Sequence, residues 1–560
     1  MTRDLSSNPV RPFGVRLRLA AGLVVGLVAV LAAPATAADD NLSLPVAAKA
    51  RQPIPLPTGE KIELSLKQTI ALTLENVLDL DVALYNLEEA KFGIQSAKGV
   101  FDPYVELDLA AADTQNATGS RLQSSESKVA SGNFTFAGLL PYGTTYALGW
   151  TNRRVDQAIP GFTTVNPTYV SGLSASFTQP LLRNFGQTVN ERFVVQARLS
   201  RDSSSYDFVR AVQSAINLSE NAYWDLVYAV ENLRAKQEAL DRANDLNRIT
   251  KIKIDVGALA PIDIVQTEVT IAQREQDIIT AEGLIGDAQD RLRRLLNVQS
   301  LPDWSRPIVP TDRPTRESLR EGFRADEDSG FKRALETRPE VRQALLTIES
   351  KKVTRAYTKN QLKPRLDLSA SYGFNGLGAQ ALLQNPDGTM TQLNYSDALQ
   401  DIVHGTYPAW TLGVTFVVPI GNNVARGNDA LAIADLELAR TNFAITKANL
   451  NVAVRAAARA IDIGYRSVAA ATKARELAER NLDAEKKKFE NGMSTTFQVA
   501  QVANDLTTAR TAELQAIATY LKDISAWHKS VGDILDVNHV VLEGLAVSTA
   551  AAPAEEGPNK

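Results

Sequence analysis

Side chains that could carry out catalysis or hold a metal ion are scarce in this chain of 560 residues. It contains three histidines, His404, His528 and His539, and no cysteine. None of the three lies in a metal-binding or nucleophile motif, and no glycine-rich phosphate-binding loop precedes a helical segment. We therefore expect no enzymatic activity, no cofactor and no bound metal. The lack of cysteine also excludes a lipid-modified N-terminal cysteine and suits an extracytoplasmic compartment.

Composition and the N-terminal segment indicate an exported, folded protein. The net charge is −4 and 44% of residues are hydrophobic, so nucleic acid is disfavoured as a partner. Arginines precede an apolar run from Leu19 to Ala33, which is followed by the small-residue cleavage pattern Ala35-Thr36-Ala37. This order predicts a signal peptide over residues 1–37, the alternative being a membrane anchor. No later segment has the ~20 apolar residues of a spanning helix, so any membrane insertion of the mature chain must use β-strands.

The elements that must position a functional site occur twice along the chain. Pro103 corresponds to Pro364 at an offset of 261 residues, and Gly257 corresponds to Gly492 at an offset of 235. Between these points, Pro180 corresponds to Pro419 at an offset of 239 residues. A duplication of this kind predicts two structural repeats. The expected organisation is a signal peptide (1–37), a proline-rich leader (38–60), a first repeat (61–300), a linker (301–332), a second repeat (333–536) and a C-terminal tail (537–560).

Alternation of apolar and polar residues predicts β-strands over about 103–181 and 364–420. The patterned segments are 105–109 and 173–177 in the first repeat, and Leu366–Phe374 and Trp410–Val418 in the second. Each repeat is therefore expected to contribute an antiparallel pair. Two further strand-like segments, 129–136 and 145–153, occur in the first repeat and explain why the offset falls from 261 to 239.

Helices are predicted on both sides of each β region. A helix is expected from Leu66 to about Val100, and very long helices over about 187–256 and 427–491, each on the order of 100 Å in length. Gly257 and Gly492 are expected to end the long helices as left-handed C-caps, and after each of them the chain is expected to fold back as a second helix. The seven-residue recurrence in the second long helix is typical of a coiled coil. Its members are Leu436, Phe443 and Leu450, with Ala439, Ala453 and Ala460 in the companion positions.

The order and spacing of these features resemble the TolC-like outer-membrane efflux proteins, an internally duplicated family. The resemblance covers roughly residues 61–536 and is carried by the helix entry at Leu72–Leu80, the prolines that open and close each β region, and the two glycine tips. It implies a mixed α and β membrane protein with long coiled-coil hairpins forming a periplasmic tunnel. It also implies antiparallel strands contributed to a trimeric transmembrane β-barrel. Family subunits contribute four strands each, and the additional segments leave that number open here.

The resemblance implies the outer-membrane channel of a tripartite efflux or type I secretion system. Such a channel is a passive, porin-like export duct that works as a homotrimer with a periplasmic adaptor and an inner-membrane RND or ABC pump. The implied location is the outer membrane of a Gram-negative-type cell. Two other classes remain open, a periplasmic adaptor and a trimeric coiled-coil surface protein without channel activity. Two hairpins instead of one disfavour the adaptor, and the fold-back at both glycines disfavours the surface protein.

The hairpin turns are the first candidate site, because in the family they engage the adaptor. The matching positions are Val256, Gly257, Ala258 and Leu259 in the first repeat, and Asn491, Gly492, Met493 and Ser494 in the second. The alternative is that the glycines act as helix caps and nothing more.

The second candidate site is a periplasmic aperture. The family's best-studied member has two aspartates, six and nine residues after the second tip glycine, which constrict the tunnel and favour cations. Those positions are Gln498 and Gln501 here, and neutral amides cannot supply the repulsion or cation binding of an acidic ring. Asp263 and Asp505 are the nearby carboxylates, either in the aperture or simply exposed on a helix surface.

The third candidate site is an aromatic belt in contact with outer-membrane lipid. Transmembrane barrels carry aromatic side chains where the apolar band meets water. The candidates are Tyr146, Trp150, Tyr407 and Trp410.

Overall fold

The structure is a computed structural model of the chain. It describes residues 56–157 apart from 116, 118–123 and 125, and residues 165–313, 325–379, 381–384 and 390–542. The predicted signal peptide lies outside the described residues, as do most of the predicted leader and tail.

The first repeat contains a short strand, a helical entry, four strands and a long helical hairpin. Its elements are β1 (Ile62–Leu64), α1 (Leu66–Asn76), α2 (Leu78–Lys98), a 3-10 turn (Gly99–Phe101), β2 (Tyr104–Gln115), β3 (Glu126–Leu139), β4 (Thr145–Asp156), β5 (Thr168–Pro180), α3 (Gln187–Asn190), α4 (Arg192–Asp255) and α5 (Asp263–Leu295). The linker holds α6 (Leu301–Ser305) and β6 (Ile308–Pro310).

The second repeat follows the same plan and starts at Glu327, earlier than the predicted residue 333. Its elements are α7 (Glu327–Thr337), α8 (Pro339–Gln361), β7 (Arg365–Ala379), β8 (Ala381–Gln384), β9 (Met390–Leu393), α9 (Tyr395–His404), β10 (Tyr407–Val417), α10 (Asn423–Glu490), α11 (Thr496–Val531) and α12 (Ile534–Val537). The long helices α4 and α10 have 64 and 68 residues, which is roughly 100 Å each. In the described ranges, no helix has both the length and the hydrophobicity needed to cross a bilayer.

The predicted single helix before each β region is two helices in the structure. The break is at Val77 in the first repeat and at Arg338 in the second, with extended backbone at both positions (ψ 124° and 126°). Pro339 opens α8, and proline both lacks the N–H that would continue the preceding helix and biases Arg338 away from helical geometry. The N-caps Ser65 and Asp326, like the two breaks, are 261 residues apart. The duplication therefore extends to caps and breaks.

Six strands form one antiparallel sheet in the order β10-β7-β5-β4-β3-β2. The additional strands of the first repeat, β3 and β4, are confirmed, and they lie between β2 and β5. The prediction that the first and last strands of the first repeat pair with each other is wrong, because this hairpin separates them. In the second repeat no strand is interposed, and β7 pairs with β10 as predicted. The repeats meet where β5 pairs with β7, and β2 and β10 are the free edges of the described sheet.

A parallel strand pair ties the start of the first repeat to the linker, which makes the linker more than a connection. β1 pairs with β6. The buried Tyr223 of α4 places its Oη 3.2 Å from the carbonyl oxygen of Leu64 and 2.8 Å from a carboxylate oxygen of Asp312. The same carboxylate accepts from the backbone N–H of Leu66 at 2.7 Å, at the start of α1. Strands of three residues are too short to show periodicity in the sequence.

The coiled-coil seam of α10 follows the predicted positions at first and then drifts. Leu436, Ala439 and Leu450 are buried as predicted. Ala453 is exposed instead of buried, and its neighbour Val454 takes its place in the core. An α-helix turns every 3.6 residues, so the buried stripe drifts by about 20° per heptad against a strict seven-residue repeat. This helix packs against α7, α8 and α11.

Candidate functional site

Both hairpin tips are closed by a glycine with a left-handed backbone. Gly257 and Gly492 each have φ +74°. The N–H groups of Ala258 and Met493 donate to the carbonyl oxygens of Lys253 and Lys488 at 2.7 and 2.8 Å, which satisfies the helix ends. A Cβ at either glycine would meet no described atom within 4 Å. Backbone conformation, and not lack of space, therefore requires glycine at both tips.

The predicted adaptor-binding residues differ in exposure. Val256 and Met493 are 73% and 71% exposed. Also exposed are Gly257, Ala258, Asn491 and Gly492. Leu259 is half-buried against the apolar cluster of α4, α10 and α11, and the half-buried Ser494 donates from its Oγ to a carboxylate oxygen of Glu485. The exposed members are accessible to a partner, whereas Leu259 and Ser494 hold the turns in place.

The two tips are joined by contacts that the sequence did not reveal. Lys253 of α4 donates from its Nζ to the carbonyl oxygen of Phe489 in α10, and this Nζ lies 4.0 Å from the centroid of the Phe489 ring. Its counterpart Lys488 instead pairs with Glu485 of its own helix at 3.0 Å. The hydrogen bond from Ser494, together with Lys488, holds the pKa of Glu485 below its usual range. A lysine near each helix end was visible in the sequence, but the group that it contacts was not.

The candidate aperture residues lie on two different helices. Gln498, Gln501 and Asp505 are exposed on α11, and their spacing of three and four residues places them on one side of the helix. Gln501 donates from its Nε2 to Asp505 Oδ1 at 3.2 Å. Asp263 is half-buried at the first position of α5, where a negative charge interacts favourably with the helix dipole.

The sheet has one apolar and one polar face across its width. Residues opposite each other on neighbouring strands share a face. One row on the apolar face consists of Leu107, Phe134, Trp150, Leu173 and Phe374. The next row, on the other face, consists of Asp108, Asn133, Thr151, Gly172 and Asn375. In these rows, the two faces of the sheet therefore differ in polarity.

The four belt candidates do not share a face. The cross-strand register places Tyr146, Trp150 and Trp410 on the apolar face. Tyr407 stands opposite Asn375, in the polar row. It is three residues from Trp410, and alternation along a strand sends residues at odd spacing to opposite faces. Tyr407 therefore does not share a face with the other three belt candidates.

A helix that was not predicted covers one end of the apolar face. α9 lies over Gly376 and Gly378 of β7, where an added Cβ would come within 1.9 and 2.2 Å of the helix backbone. The two glycines therefore allow direct backbone contact. The Asp401 carboxylate of α9 accepts from the N–H of Leu377 at 3.3 Å. His404 is exposed as the last residue of this helix.

The described residues contain no cluster of three or more His, Asp or Glu side chains arranged to hold a metal ion. Two of the histidines contact groups of their own region. His404 Nδ1 lies 2.9 Å from the carbonyl oxygen of Gln400, and His528 Nδ1 lies 2.9 Å from a carboxylate oxygen of Asp533. These contacts are structural ones.

Known proteins share this arrangement. The sequence model of the family described as outer membrane efflux protein matches residues 69–298 and 331–532, one match in each repeat. The outer-membrane channel OprN has a similar structure, with a TM-score of 0.61 and 16% identity over 84% of this chain and 90% of that chain. The CmeC outer membrane channel of Campylobacter jejuni gives 0.58 and 17% over 84% and 86%. VceC of Vibrio cholerae gives 0.59 and 14% over 83% and 96%.

No curated protein shows significant sequence similarity to the chain. At the identities above, the solved structures establish the fold. The family model matches both repeats and more than half of the chain, and the resemblance inferred from the sequence is confirmed. The chain belongs to the outer membrane efflux protein family.

Proposed function

We propose that this protein is the outer-membrane channel of a tripartite efflux or type I secretion system. It is a passive duct, and a periplasmic adaptor and an inner-membrane RND or ABC pump supply its substrates. The observation that carries the proposal is the six-stranded sheet, with one apolar and one polar face, joined to two long helical hairpins. Such a sheet suits a transmembrane β-barrel with lipid outside and water inside. The hairpins then form the periplasmic tunnel.

The protein works as a homotrimer in this proposal. A single sheet leaves β2 and β10 as edges, and each unpaired backbone group in lipid would cost several kcal/mol. α10 also exposes an apolar stripe with a seven-residue period, the pattern of a coiled-coil seam. Its members are Val424, Leu431, Leu438, Ile445 and Val452, which are 51–79% exposed. Further copies of the chain would cover both features, and the family resemblance implies three.

The hairpin tips and the polar residues next to the second tip have separate roles in this proposal. The exposed tip residues, led by Val256 and Met493, bind the adaptor. Gln498, Gln501 and Asp505 line the tunnel close to the tips. With amides at two of these three levels, the aperture selects cations less strongly than an acidic ring would.

The channel proposal is tested on the full chain in its own membrane. After export through the signal peptide at residues 1–37, the protein should be extracted from outer membranes as a heat-sensitive trimer that conducts in planar bilayers. A water-soluble monomer without conductance would contradict the channel and favour an adaptor.

The aperture has its own test. Gln498→Asp/Gln501→Asp should increase cation selectivity relative to the parent. Unchanged selectivity would place these residues away from the constriction.

A further inference from the structure

The α9 helix stands at the end of β7 that lies away from the helical hairpins. β7 follows α8 at Arg365 and runs to Ala379. α9 is seated over Gly376 and Gly378, near the far end of this strand. In the proposed channel the hairpins are periplasmic, so α9 belongs to the end of the barrel that faces the cell exterior.

α9 covers the same face of the sheet that carries the apolar rows. Gly376 and Gly378 lie at even spacing from Phe374 along β7, so all three residues share that face. A Cβ added at Gly405, the left-handed C-cap of α9, would lie 3.1 Å from the Phe374 ring. The helix therefore reaches from the end of the strand down to Phe374, the last large apolar side chain that β7 places on this face.

A chain of hydrogen bonds holds α9 in this position. Tyr395 of α9 donates from its Oη to Asn152 Oδ1 at 3.0 Å. The fully buried Ser171 donates from its Oγ to the same oxygen, and its Oγ accepts from Trp150 Nε1 at 3.3 Å. α9 is thereby connected to Trp150, a belt candidate on the apolar face.

α9 also closes a gap at the edge of the sheet. β10 begins at Tyr407, opposite Asn375, whereas β7 continues to Ala379. Beyond the start of β10, the N–H of Leu377 donates to the Asp401 carboxylate of α9 at 3.3 Å. An unpaired backbone N–H is costly in lipid. The helix thus satisfies a group that a longer β10 would otherwise have paired.

The polarity of the covered face changes at the level of α9. One row on this face is Trp150, Leu173 and Phe374, and the second row after it is Arg154, Tyr169 and Gly378. Arg154 forms an ion pair with Asp156 at 3.2 Å. Barrel walls carry an apolar band where they meet hydrocarbon, and the band ends where polar side chains begin. α9 therefore stands at the outer boundary of the apolar band.

The exposed surface of α9 has an apolar and a polar side. Ala398 is the buried contact with the sheet. At about 100° per residue, the helix places one apolar row beside one polar row. The apolar row is Tyr395, Leu399 and Val403, and the polar row is Ser396, Gln400 and His404. Val403 is 82% exposed, and all three residues of the polar row are exposed.

We propose that the apolar row of α9 contacts the acyl chains of the outer leaflet, so that α9 anchors the outer end of the barrel at the boundary between hydrocarbon and headgroups. The anchor rests on the proposed function, which makes the hairpins periplasmic. Lipid is the occupant that fits, because Val403 lies two residues before Gly405 and so continues the apolar surface that ends at Phe374. Adjacent apolar and polar rows suit a helix at a membrane interface.

Spin labelling tests the anchor, because the chain has no cysteine of its own. Val403→Cys in the apolar row is compared with Gln400→Cys in the polar row. Each variant carries a nitroxide and is reconstituted as a trimer in vesicles of phosphatidylethanolamine and phosphatidylglycerol. Oxygen concentrates in hydrocarbon, whereas a nickel chelate stays in water. The ratio of oxygen to nickel collisions should be severalfold higher at Val403→Cys than at Gln400→Cys.

Two further variants make the result decisive. Leu399→Cys, in the same apolar row, should behave like Val403→Cys and guards against one variant failing to fold. Leu412→Cys, on the apolar face of β10 and 65% exposed, reports whether the sheet itself meets lipid.

The outcomes separate the anchor from the channel. Nickel access at Val403→Cys and Leu399→Cys, with lipid contact at Leu412→Cys, would overturn the anchor and leave the channel intact. Immobilised labels on α9 that neither reagent reaches would mean that a second copy or another protein covers the row, which would also overturn lipid contact. Nickel access at Leu412→Cys would refute the barrel of the proposed function, and the anchor with it.

Discussion

Replacing Ala370 by arginine tests which face of the sheet meets lipid. Ala370 lies midway along the apolar residues of β7, which run from Leu366 to Phe374, and Ser371 is the next residue on the polar face. An arginine facing lipid at the bilayer midplane costs about 2–4 kcal/mol. At about 1.4 kcal/mol per factor of ten, Ala370→Arg should lower the folded, inserted population roughly 30- to 700-fold per subunit.

Ser371→Arg is the matched control, because it introduces the same side chain one residue away into a site of similar size. On the polar face the guanidinium stays in water, so the change in stability should be within about 0.5 kcal/mol. The trimer should form as in the parent. Three added positive charges in the lumen should shift selectivity towards anions, since fixed charges concentrate ions of opposite sign.

The two variants are compared by the heat-sensitive trimer in outer-membrane fractions, by the urea midpoint in lipid, and by the reversal potential in bilayers. Equal losses from both substitutions would mean that the two faces meet similar surroundings. A larger loss from Ser371→Arg would reverse the assignment of the faces and refute the reasoning behind the barrel.

Four further substitutions test local features. Gly492→Ala forces a Cβ into a left-handed turn (φ +74°) and should cost about 1 kcal/mol, seen as faster amide exchange at the tip. Gly330→Ala brings a Cβ to 2.6 Å from the buried Trp527 ring and should destabilise the folded protein by about 1–3 kcal/mol, measured by thermal unfolding. Gly286→Ala, with open space around it, should be neutral or stabilising in the same measurement. Burial raises the pKa of the Glu220 carboxyl, so the native state binds this proton more tightly than the unfolded state and loses stability as pH rises above about 4.5. Glu220→Gln should therefore gain more melting temperature over the parent at pH 7 than at pH 4.5, and a pH-independent difference would count against this.

The helical hairpins were predictable because their signals are local. A seven-residue recurrence that includes Leu436, Phe443 and Leu450 favours a long helix, and Gly257 and Gly492 stand where a left-handed cap is needed. The drift of the seam from Ala453 to Val454 was not predictable from the repeat alone. It depends on how far the helix supercoils around partners that lie far away in the sequence.

Strand neighbours were not predictable, because alternation reports that a strand has two faces but not which strand lies beside it. Tyr407 is a different case, because its odd spacing from Trp410 already places the two residues on opposite faces, although its aromatic character pointed to a belt. The α9 helix, by contrast, left a readable signal. Asn394 and Asp397 form a capping box at its start, and Ala398 and Ile402 have helical spacing.

The inserted hairpin of the first repeat shows what a duplicated sheet of this kind can accept. If β10 of one copy pairs antiparallel with β2 of the next, the two edge strands of each copy must run in opposite directions. This requires an even number of strands in the sheet of each copy. One additional strand would make the edges parallel, and the following helix would begin at the wrong end of the strands. Two strands, β3 and β4, keep both the strand direction and the end at which the chain leaves the sheet. Growth by a whole β-hairpin is thus the smallest change in sheet width that leaves the helices of both repeats in place. The two repeats accordingly differ in their number of strands, whereas both contain a long helical hairpin.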